Sequence, residues 1–430
     1  MGVGLLGYGT VGAAVNRLLV ENADDIERAT GHRLRVVRAL VRDPAKERDF
    51  PPDPEVLTTD PALIRDDPAI SVVGEVMGGL EPAGPLVLEL LAAGKPVVTA
   101  NKQLVAQRGP ELFEAAAAAG VQLRFEACVC AAIPVIKALR ESLVATNVHR
   151  VLGIVNGTTN FILTEMEAGA TLSEALAEAQ RRGYAEADPT DDLSGADAAA
   201  KMAILATIAF GSRVTLDQVD YRGLTEIPPG LPKTARELEM VVRLVGAATL
   251  LDGAVDVRVR PALVDRHHPL AAVEGAFNAV MLQGDAIREI TLEGPGAGGI
   301  ETASAVVADM VSIIGTTGTG FLHNDPCWRT LERMPPGDLR SPFYGHIEVD
   351  DRPGVLADVS QRLAAHDVSV ARLTQVPVQG GAALHVVLHE APQREVEAAL
   401  DEIAQLPQVH ARPAALPVIS DRGVAELGWA

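Results

Sequence analysis

The densest concentration of reactive side chains lies in the run Gly183-Tyr184-Ala185-Glu186-Ala187-Asp188-Pro189-Thr190-Asp191-Asp192. Four carboxylates fall within seven residues of a turn-prone loop. Asp197 and Lys201 follow, four apart and therefore on one face of a helix. The alternative is a solvated acidic loop and one helix-surface ion pair. Against it, Ala198-Ala199-Ala200 and Met202–Phe210 read as a buried helix, where an ion pair is costly unless used. A lysine beside a carboxylate in a dry site is suited to giving and taking a proton. A second lysine, Lys102, stands just past the strand pattern Lys95–Thr99, at the edge where ligands collect in open α/β sheets. It can bind a carboxylate or polarise a carbonyl there; the alternative is an ordinary surface lysine.

Gly7-Tyr8-Gly9-Thr10-Val11-Gly12 is a GxGxxG between a strand and a helix pattern. Its glycines permit a tight turn, close approach of a pyrophosphate and close helix–strand packing. The helix N-terminus then meets the phosphates with free N–H groups and its positive dipole end. At the tip of the second strand, Arg42 precedes Asp43, with Lys46 nearby. An arginine there suits the 2′-phosphate of NADP and an acid the ribose of NAD, so NADP is favoured and NAD stays open; a solvated loop charge is the plain alternative. Cys128 and Cys130 stand two apart, which is not zinc-knuckle spacing, and no histidine cluster supports them as a metal–thiolate site.

The elements that must position these groups begin with Val3–Leu6, a helix from Val11 to about Val20, and strands at Leu34–Val41, Val72–Val76 and Lys95–Thr99. Strands alternating with helices predict a Rossmann-type, doubly wound parallel sheet over residues 1–126. From Ile133 to Phe210 long helical patterns dominate, and short alternating strands appear between about 240 and 290; residues 127–293 read as an α+β substrate-binding and dimerisation domain. The stretch Gly294–Gly299 opens a helix to about Val311, and residues of about 294–315 are expected to complete the first domain. A linker is expected over 316–342. Residues 343–420 then read βαββαβ: strand Gly345–Val349, helix Val355–His366, strands Ser369–Val376 and Ala383–His389, helix Arg394–Leu406 and strand Val409–Pro413. That order predicts a ferredoxin-like unit. The last ten residues are expected to be poorly ordered.

At 430 residues, two or three domains are expected. A formal charge of −20 repels phosphate backbones and argues against nucleic acid as a partner. Three cysteines are too few for a disulfide framework. The apolar stretches break before membrane-spanning length and no basic leader opens the chain, so no membrane partner is expected and the cytoplasm is favoured.

Taken in order, these residues resemble one family, homoserine dehydrogenase. The resemblance runs through the GxGxxG, EVMGGLEPA (75–83), VTANK (98–102), RFEA (124–127), IVNGTTNFIL (154–163), GYAEADPTDD (183–192), DAAAK (197–201), GPGAGG (294–299) and TASAVVADM (302–310). The last unit, with Asp351-Arg352-Pro353-Gly354-Val355-Leu356, is similar to an ACT domain, an amino-acid sensor. The resemblance implies that Gly7, Gly9, Thr10, Val11 and Gly12 hold the dinucleotide, with Arg42, Lys102 and Gly298 on the cofactor side. Gly157 and Thr158 would lie near the nicotinamide. Glu186 and Asp192 would bind the amino-alcohol end of homoserine, with Tyr184 and Asp191 in the same loop. Lys102 and Lys201 would be the catalytic lysines, Lys201 the proton donor, with Asp197 beside them.

It further implies a monovalent cation, usually sodium, held by the Glu126 carboxylate and the carbonyls of Val129, Ala131 and Ile133. Threonine would be the natural allosteric amino acid, with methionine, no ligand or a purely dimerising module as the alternatives, and the assembly a homodimer or homotetramer. Two departures stand out. Cys128-Val129-Cys130-Ala131-Ala132 replaces a Gly-containing turn, which is expected to alter the backbone or narrow the nicotinamide side of the cleft. Glu301 replaces a usual proline at a helix start, where an acid is tolerated. A Rossmann dehydrogenase for another small amino or hydroxy acid should lack the Asp197/Lys201 pair and NGTTN. A non-catalytic sensor would tolerate loss of Lys201, Glu186 or the glycine loop, and all are intact.

Overall fold

The computed structural model describes residues 1–227, 231, 232, 235, 240–315, 338, 340–378 and 380–417. The chain divides into two compact units, Met1–Cys327 and Trp328–Ala430.

The first unit opens with β1 (Gly2–Leu6), α1 (Thr10–Glu21), α2 (Ala23–Thr30), β2 (Arg35–Leu40), β3 (Leu57–Thr58), α3 (Ala62–Arg65), β4 (Ile70–Glu75), α4 (Ala83–Ala92), β5 (Val97–Thr99), α5 (Lys102–Ala119) and β6 (Leu123–Arg124). The strands form one parallel sheet in the order β3-β2-β1-β4-β5-β6. Every residue of β1 is buried, as a central strand covered on both faces requires. The order reverses between β1 and β4, so the C-terminal ends of these strands frame a crevice at the switch point.

The chain continues through α6 (Val135–Lys137), β7 (Val148–Ile154), α7 (Gly157–Glu167), α8 (Leu172–Arg181), α9 (Thr190–Ser194), α10 (Ala196–Phe210), β8 (Asp220–Tyr221), β9 (Met240–Leu251), β10 (Ala254–Asp265), β11 (Phe277–Gly284) and β12 (Arg288–Pro295). Its sheet runs β12-β11-β7-β9-β10-β8, antiparallel except where β8 joins β10. The helical stretch expected from Ile133 to Phe210 is interrupted by β7, which pairs with β11 and β9. Its Val-Leu-Gly-Ile run is short and apolar, and only the partner strands decide it as a strand. The strands expected between 240 and 290 are longer than anticipated, β9 and β10 having 12 residues each. Residues 197–206 of α10 are all buried, between α5 and this sheet. A helix with no polar face must be enclosed, and α10 is part of the largest core cluster. Finally α11 (Gly299–Gly315) returns to the first sheet, where Val306, Met310 and Ile313 pack with Val3, Leu5 and Val15.

The second unit comprises β13 (Arg340–Val349), α12 (Val355–Ala365), β14 (Val370–Val378), β15 (Gly381–Pro392), α13 (Gln393–Ala404) and β16 (Ala414–Pro417). The order β14-β15-β13-β16 is antiparallel throughout, the ferredoxin-like arrangement. The last strand is displaced from the expected Val409–Pro413. Val409 makes only an isolated bridge to Val349, and pairing with β13 begins at Ala414. The first strand starts at Arg340, inside the expected linker. Most of that linker and the last ten residues lie outside the described residues.

Candidate active site

Each reactive group is held at the end of an element. Thr99 closes β5, and its Oγ1 donates to Glu75 Oε2 at 2.6 Å at the tip of β4. Glu75 is fully buried, and its Oε1 accepts the N–H groups of Met77 (2.9 Å) and Gly78 (3.2 Å). Asn101 caps α5 by accepting the Leu104 N–H at 3.1 Å, and donates to the Gly79 carbonyl at 2.6 Å. Lys102 is thereby fixed as the first residue of α5. Across the crevice, Asn156 caps α7 through the Thr159 N–H at 2.8 Å.

Packing of α5 against α10 brings the two lysines to one carboxylate. Asp197 Oδ1 accepts from Lys102, and Oδ2 lies 2.8 Å from Lys201 Nζ. Lys201 also donates to the Val155 carbonyl at 2.8 Å. Asn156 Nδ2 bridges Asp192 Oδ1 (2.7 Å) and Asp197 Oδ2 (2.8 Å). Burial pushes the Asp197 carboxyl up, but the two ammonium groups outweigh it and hold it well below the carboxylate range. Burial likewise opposes the Lys201 ammonium, and Asp197 more than offsets it, leaving the lysine above its ordinary value. Asp192 is pushed up by burial, with the Asn156 bond acting against this.

The rest of the expected substrate loop sits at the rim. Thr158 Oγ1 donates to the Tyr184 carbonyl at 2.6 Å, and the Tyr184 and Phe161 rings pack in a tilted arrangement with centroids 5.0 Å apart. Glu186 and Asp191 are exposed, and their carboxylates make no hydrogen bond among the described residues. A cleft of about 280 Å³ is lined by Asn101, Lys102, Cys130, Ala131, Lys201 and Gly296, among others. A larger cavity of about 640 Å³ lies behind Glu126, but Lys102, Asp197 and Lys201 do not line it. Both lysines of the cluster line the smaller cleft.

On the cofactor side, Gly7 has φ +101°, and a Cβ on Gly12 would stand 2.5 Å from the Gly7 carbonyl oxygen. A Cβ on Gly9 would meet nothing within 4 Å, and α1 starts at Thr10 without a side-chain cap. Open space at an uncapped helix start, through Thr10 and Val11, fits a pyrophosphate. Gly298 and Gly299 bring the second glycine turn against this one, Gly299 meeting Thr10. Arg42 is exposed beyond β2. The loop around it is organised by Arg48, whose guanidinium donates to the carbonyls of Asp43 (2.8 Å), Pro44 (3.2 Å) and Tyr8 (3.4 Å).

Among the described residues no group of three His, Cys, Asp or Glu is placed to hold a metal. Glu126 is 3% exposed and accepts the N–H groups of Ile136 (2.7 Å) and Lys137 (2.8 Å). Burial nevertheless pushes it up to about 7. A nearby monovalent cation would favour the charge that burial disfavours, so the donor chemistry fits. The Ile133 carbonyl accepts the Val135 N–H at 2.8 Å. In the turn that lacks its glycine, Cys130 (φ +56°) and Ala131 (φ +39°) take left-handed backbone, and both line the cleft. The substituted turn thus keeps two residues in the backbone region that favours glycine, and their side chains form part of the wall. Asn156, Glu75 and Arg48 were not among the expected site residues. Only Asn156 left a local signal, as an asparagine immediately before a helix pattern.

A parallel sheet with a glycine turn at its switch point, with two lysines on the buried Asp197 carboxylate, defines a dinucleotide-binding oxidoreductase. Residues 7–126 match the profile of the homoserine dehydrogenase NAD-binding domain, 134–311 that of homoserine dehydrogenase, and 347–408 that of the ACT domain. The homoserine dehydrogenase of Synechocystis sp. is 40% identical over 431 residues, covering 97% of this chain and 99% of its own. That of Mycobacterium tuberculosis is 42% identical over 426 residues, covering 94% and 95%. The crystal structure of a Thiobacillus denitrificans homoserine dehydrogenase matches with TM-score 0.70 at 40% identity, over 97% of each chain. A hyperthermophilic archaeal homoserine dehydrogenase mutant in complex with NADPH matches with TM-score 0.61 at 30% identity, over 73% of this chain and 97% of that one. The chain belongs to the homoserine dehydrogenase family and carries a C-terminal ACT domain.

Proposed function

We infer that the protein interconverts L-aspartate 4-semialdehyde and L-homoserine with NADP in preference to NAD, in threonine, methionine and isoleucine biosynthesis. The observation that carries this reading is Asp197 held between Lys102 and Lys201 at the mouth of α10. The nicotinamide cofactor, when bound, supplies or accepts the hydride. Lys201 uses one N–H on Asp197 and one on the Val155 carbonyl, and its third is available to the substrate oxygen. Reduction of the aldehyde takes that proton; oxidation of the alcohol returns it. Asp197 keeps Lys201 charged, and Lys102 balances Asp197 and polarises the oxygen.

Asp192, with Glu186, Asp191 and Tyr184 at the rim, receives the substrate's ammonium end. Gly157 and Thr158 seat the nicotinamide. Gly7, Gly9, Thr10, Val11, Gly12 and Gly298 cradle the phosphates, and Arg42 reads the 2′-phosphate. Glu126 and the carbonyls of Val129, Ala131 and Ile133 would hold a sodium ion, which would supply a positive charge to the turn that walls the cleft.

The ACT unit is read as a feedback sensor for threonine. In support, Asp351, Arg352, Pro353, Gly354, Gln375 and Leu384 line a cavity of about 370 Å³. Gly354, at φ +97°, precedes α12 without a side-chain cap, where a carboxylate can approach the backbone. The assembly is read as a homodimer or homotetramer. No helix among the described residues is long and apolar enough to cross a membrane. Homoserine oxidation assayed separately with NADP and NAD tests the reading. Turnover with NADP above NAD is expected; turnover with neither would overturn it.

A further inference from the structure

Asn156 stands immediately before α7 and is 4% exposed. Its Oδ1 accepts the Thr159 N–H at 2.8 Å, which only an oxygen can do, so the amide has one orientation and turns Nδ2 to the carboxylates. Both Nδ2 hydrogens are then used, one on Asp192 Oδ1 at 2.7 Å and one on Asp197 Oδ2 at 2.8 Å. A helix cap needs only the acceptor, and serine, threonine or aspartate supplies that equally well. Among these cap residues asparagine alone adds two donors. The carboxylates it ties stand on different helices, Asp192 on α9 and Asp197 on α10, with Gly195 turning between them at φ +86°. The bond from Asn156 is the only hydrogen bond on the Asp192 carboxylate among the described residues. Burial pushes Asp192 up, Asn156 opposes this, and the neighbouring Asp197 charge adds to the rise.

We propose that Asn156 is a positioning residue for the reaction, one amide nitrogen setting the spacing between the carboxylate that takes the substrate's ammonium and the carboxylate that holds the proton-transfer lysine. Homoserine carries its ammonium and its reacting hydroxyl on one short chain, so both ends must be met at a fixed separation. The connection runs from Asp192 through Asn156 and Asp197 to Lys201, with every link a hydrogen bond or ion pair of 2.7–2.8 Å. Asn156 occupies Asp192 Oδ1, and Oδ2 makes no hydrogen bond among the described residues, which leaves it for the ammonium. Without the amide, two like charges face each other with no donor between them. The same side chain begins α7 at Gly157, so the substrate carboxylate, the lysine pair and the first turn of α7 share one anchor.

Since this rests on Asp192 receiving the ammonium of homoserine, the test separates the two. Full-length wild type, Asn156→Asp and Asn156→Ser are assayed for homoserine oxidation across pH, and NADP affinity is titrated for each. Both variants keep a cap acceptor; the aspartate replaces both donors by a charge, and the serine withdraws the amide. Each is expected to lower kcat/KM for homoserine by about tenfold or more, largely through KM, while NADP affinity changes by less than about twofold. The groups around Lys201 are Asp197, Asp192, Cys130 and, across Asp197, Lys102. A further carboxylate among them favours the ammonium, so Asn156→Asp should move the alkaline rise of homoserine oxidation to higher pH by about one unit. A residue that only caps α7 would leave both variants near wild type. Homoserine kcat/KM within about twofold of wild type in both, a loss confined to NADP affinity, or an unmoved pH profile in Asn156→Asp would each overturn the proposal. Asn156→Ser decides by its KM and NADP readings should the aspartate variant not fold. Wild type that turns over no homoserine would instead remove the substrate reading, and the role of Asn156 with it.

Discussion

Lys201 is buried, and the opposition between burial and Asp197 defines its behaviour. Since Asp197 prevails, the ammonium persists above the usual lysine value. Lys201→Met should lower kcat by about two orders of magnitude or more while leaving dinucleotide affinity nearly unchanged; near-normal turnover would remove Lys201 from the mechanism. The same state gives a pH signature. Homoserine oxidation needs an uncharged acceptor and should climb into the alkaline range, whereas aldehyde reduction should be flat across neutrality. An oxidation rate already level below about pH 8 would contradict proton transfer to this lysine. Glu126 has the opposite character. Its folded value of about 7 lies above its ordinary 4.5, so between the two the folded chain binds more protons than the unfolded chain. Stability should therefore fall as pH rises through that window, by roughly 3 kcal/mol at most. Calorimetry across the window, with sodium and with a bulky organic cation, checks the proposed ion site. Sodium should flatten the fall, and identical curves would argue against an ion at Glu126.

Elements place these groups through their termini. A β-strand end, a capped helix start and a glycine turn each supply a fixed direction, and the crevice is where α1, α5, α7 and α11 all begin. Gly12→Ala puts a methyl 2.5 Å from the Gly7 carbonyl oxygen, backbone that cannot swing aside. The start of α1 must shift, and dinucleotide affinity should fall by about tenfold or more with little change in homoserine KM at saturating cofactor. Titration of either nucleotide would show it. The loop after β2 behaves differently. Arg48 donates to loop carbonyls, while Arg42 stays exposed. Arg42→Ala should weaken NADP far more than NAD. Equal losses would show that another group reads the 2′-phosphate.

For the molecule as a whole, the two units define two possible ligand sites, and regulation requires a free-energy coupling between them. Threonine is expected to inhibit the full chain, and a chain ending near residue 339 to stay active but lose that inhibition. Equal sensitivity of both would put any threonine effect in the catalytic cleft. A chain that dimerises through its ACT unit but ignores threonine and methionine would make that unit an assembly module, since fold alone does not fix function.

What the sequence by itself determined is what depends on chain neighbours. The GxGxxG turn, the Asp197/Lys201 pair on one helix face, the enclosed character of α10 and the βαββαβ order of the last unit are all periodicities or short spacings, set by helix and strand geometry. Family-length motifs extended that reading to the role proposed for Lys102. Tertiary structure alone decided what depends on packing. Lys102 and Asp197 are 95 residues apart in sequence and meet only because α5 lies on α10. Asn156 joins Asp192 to Asp197 because β7, hidden within a helical reading, brings α7 to the same edge. The last strand formed at Ala414 rather than Val409 because β13 offers its pairing there. A strand's existence and register are set by its partner, and a buried charge by what encloses it; neither is written in the neighbouring residues.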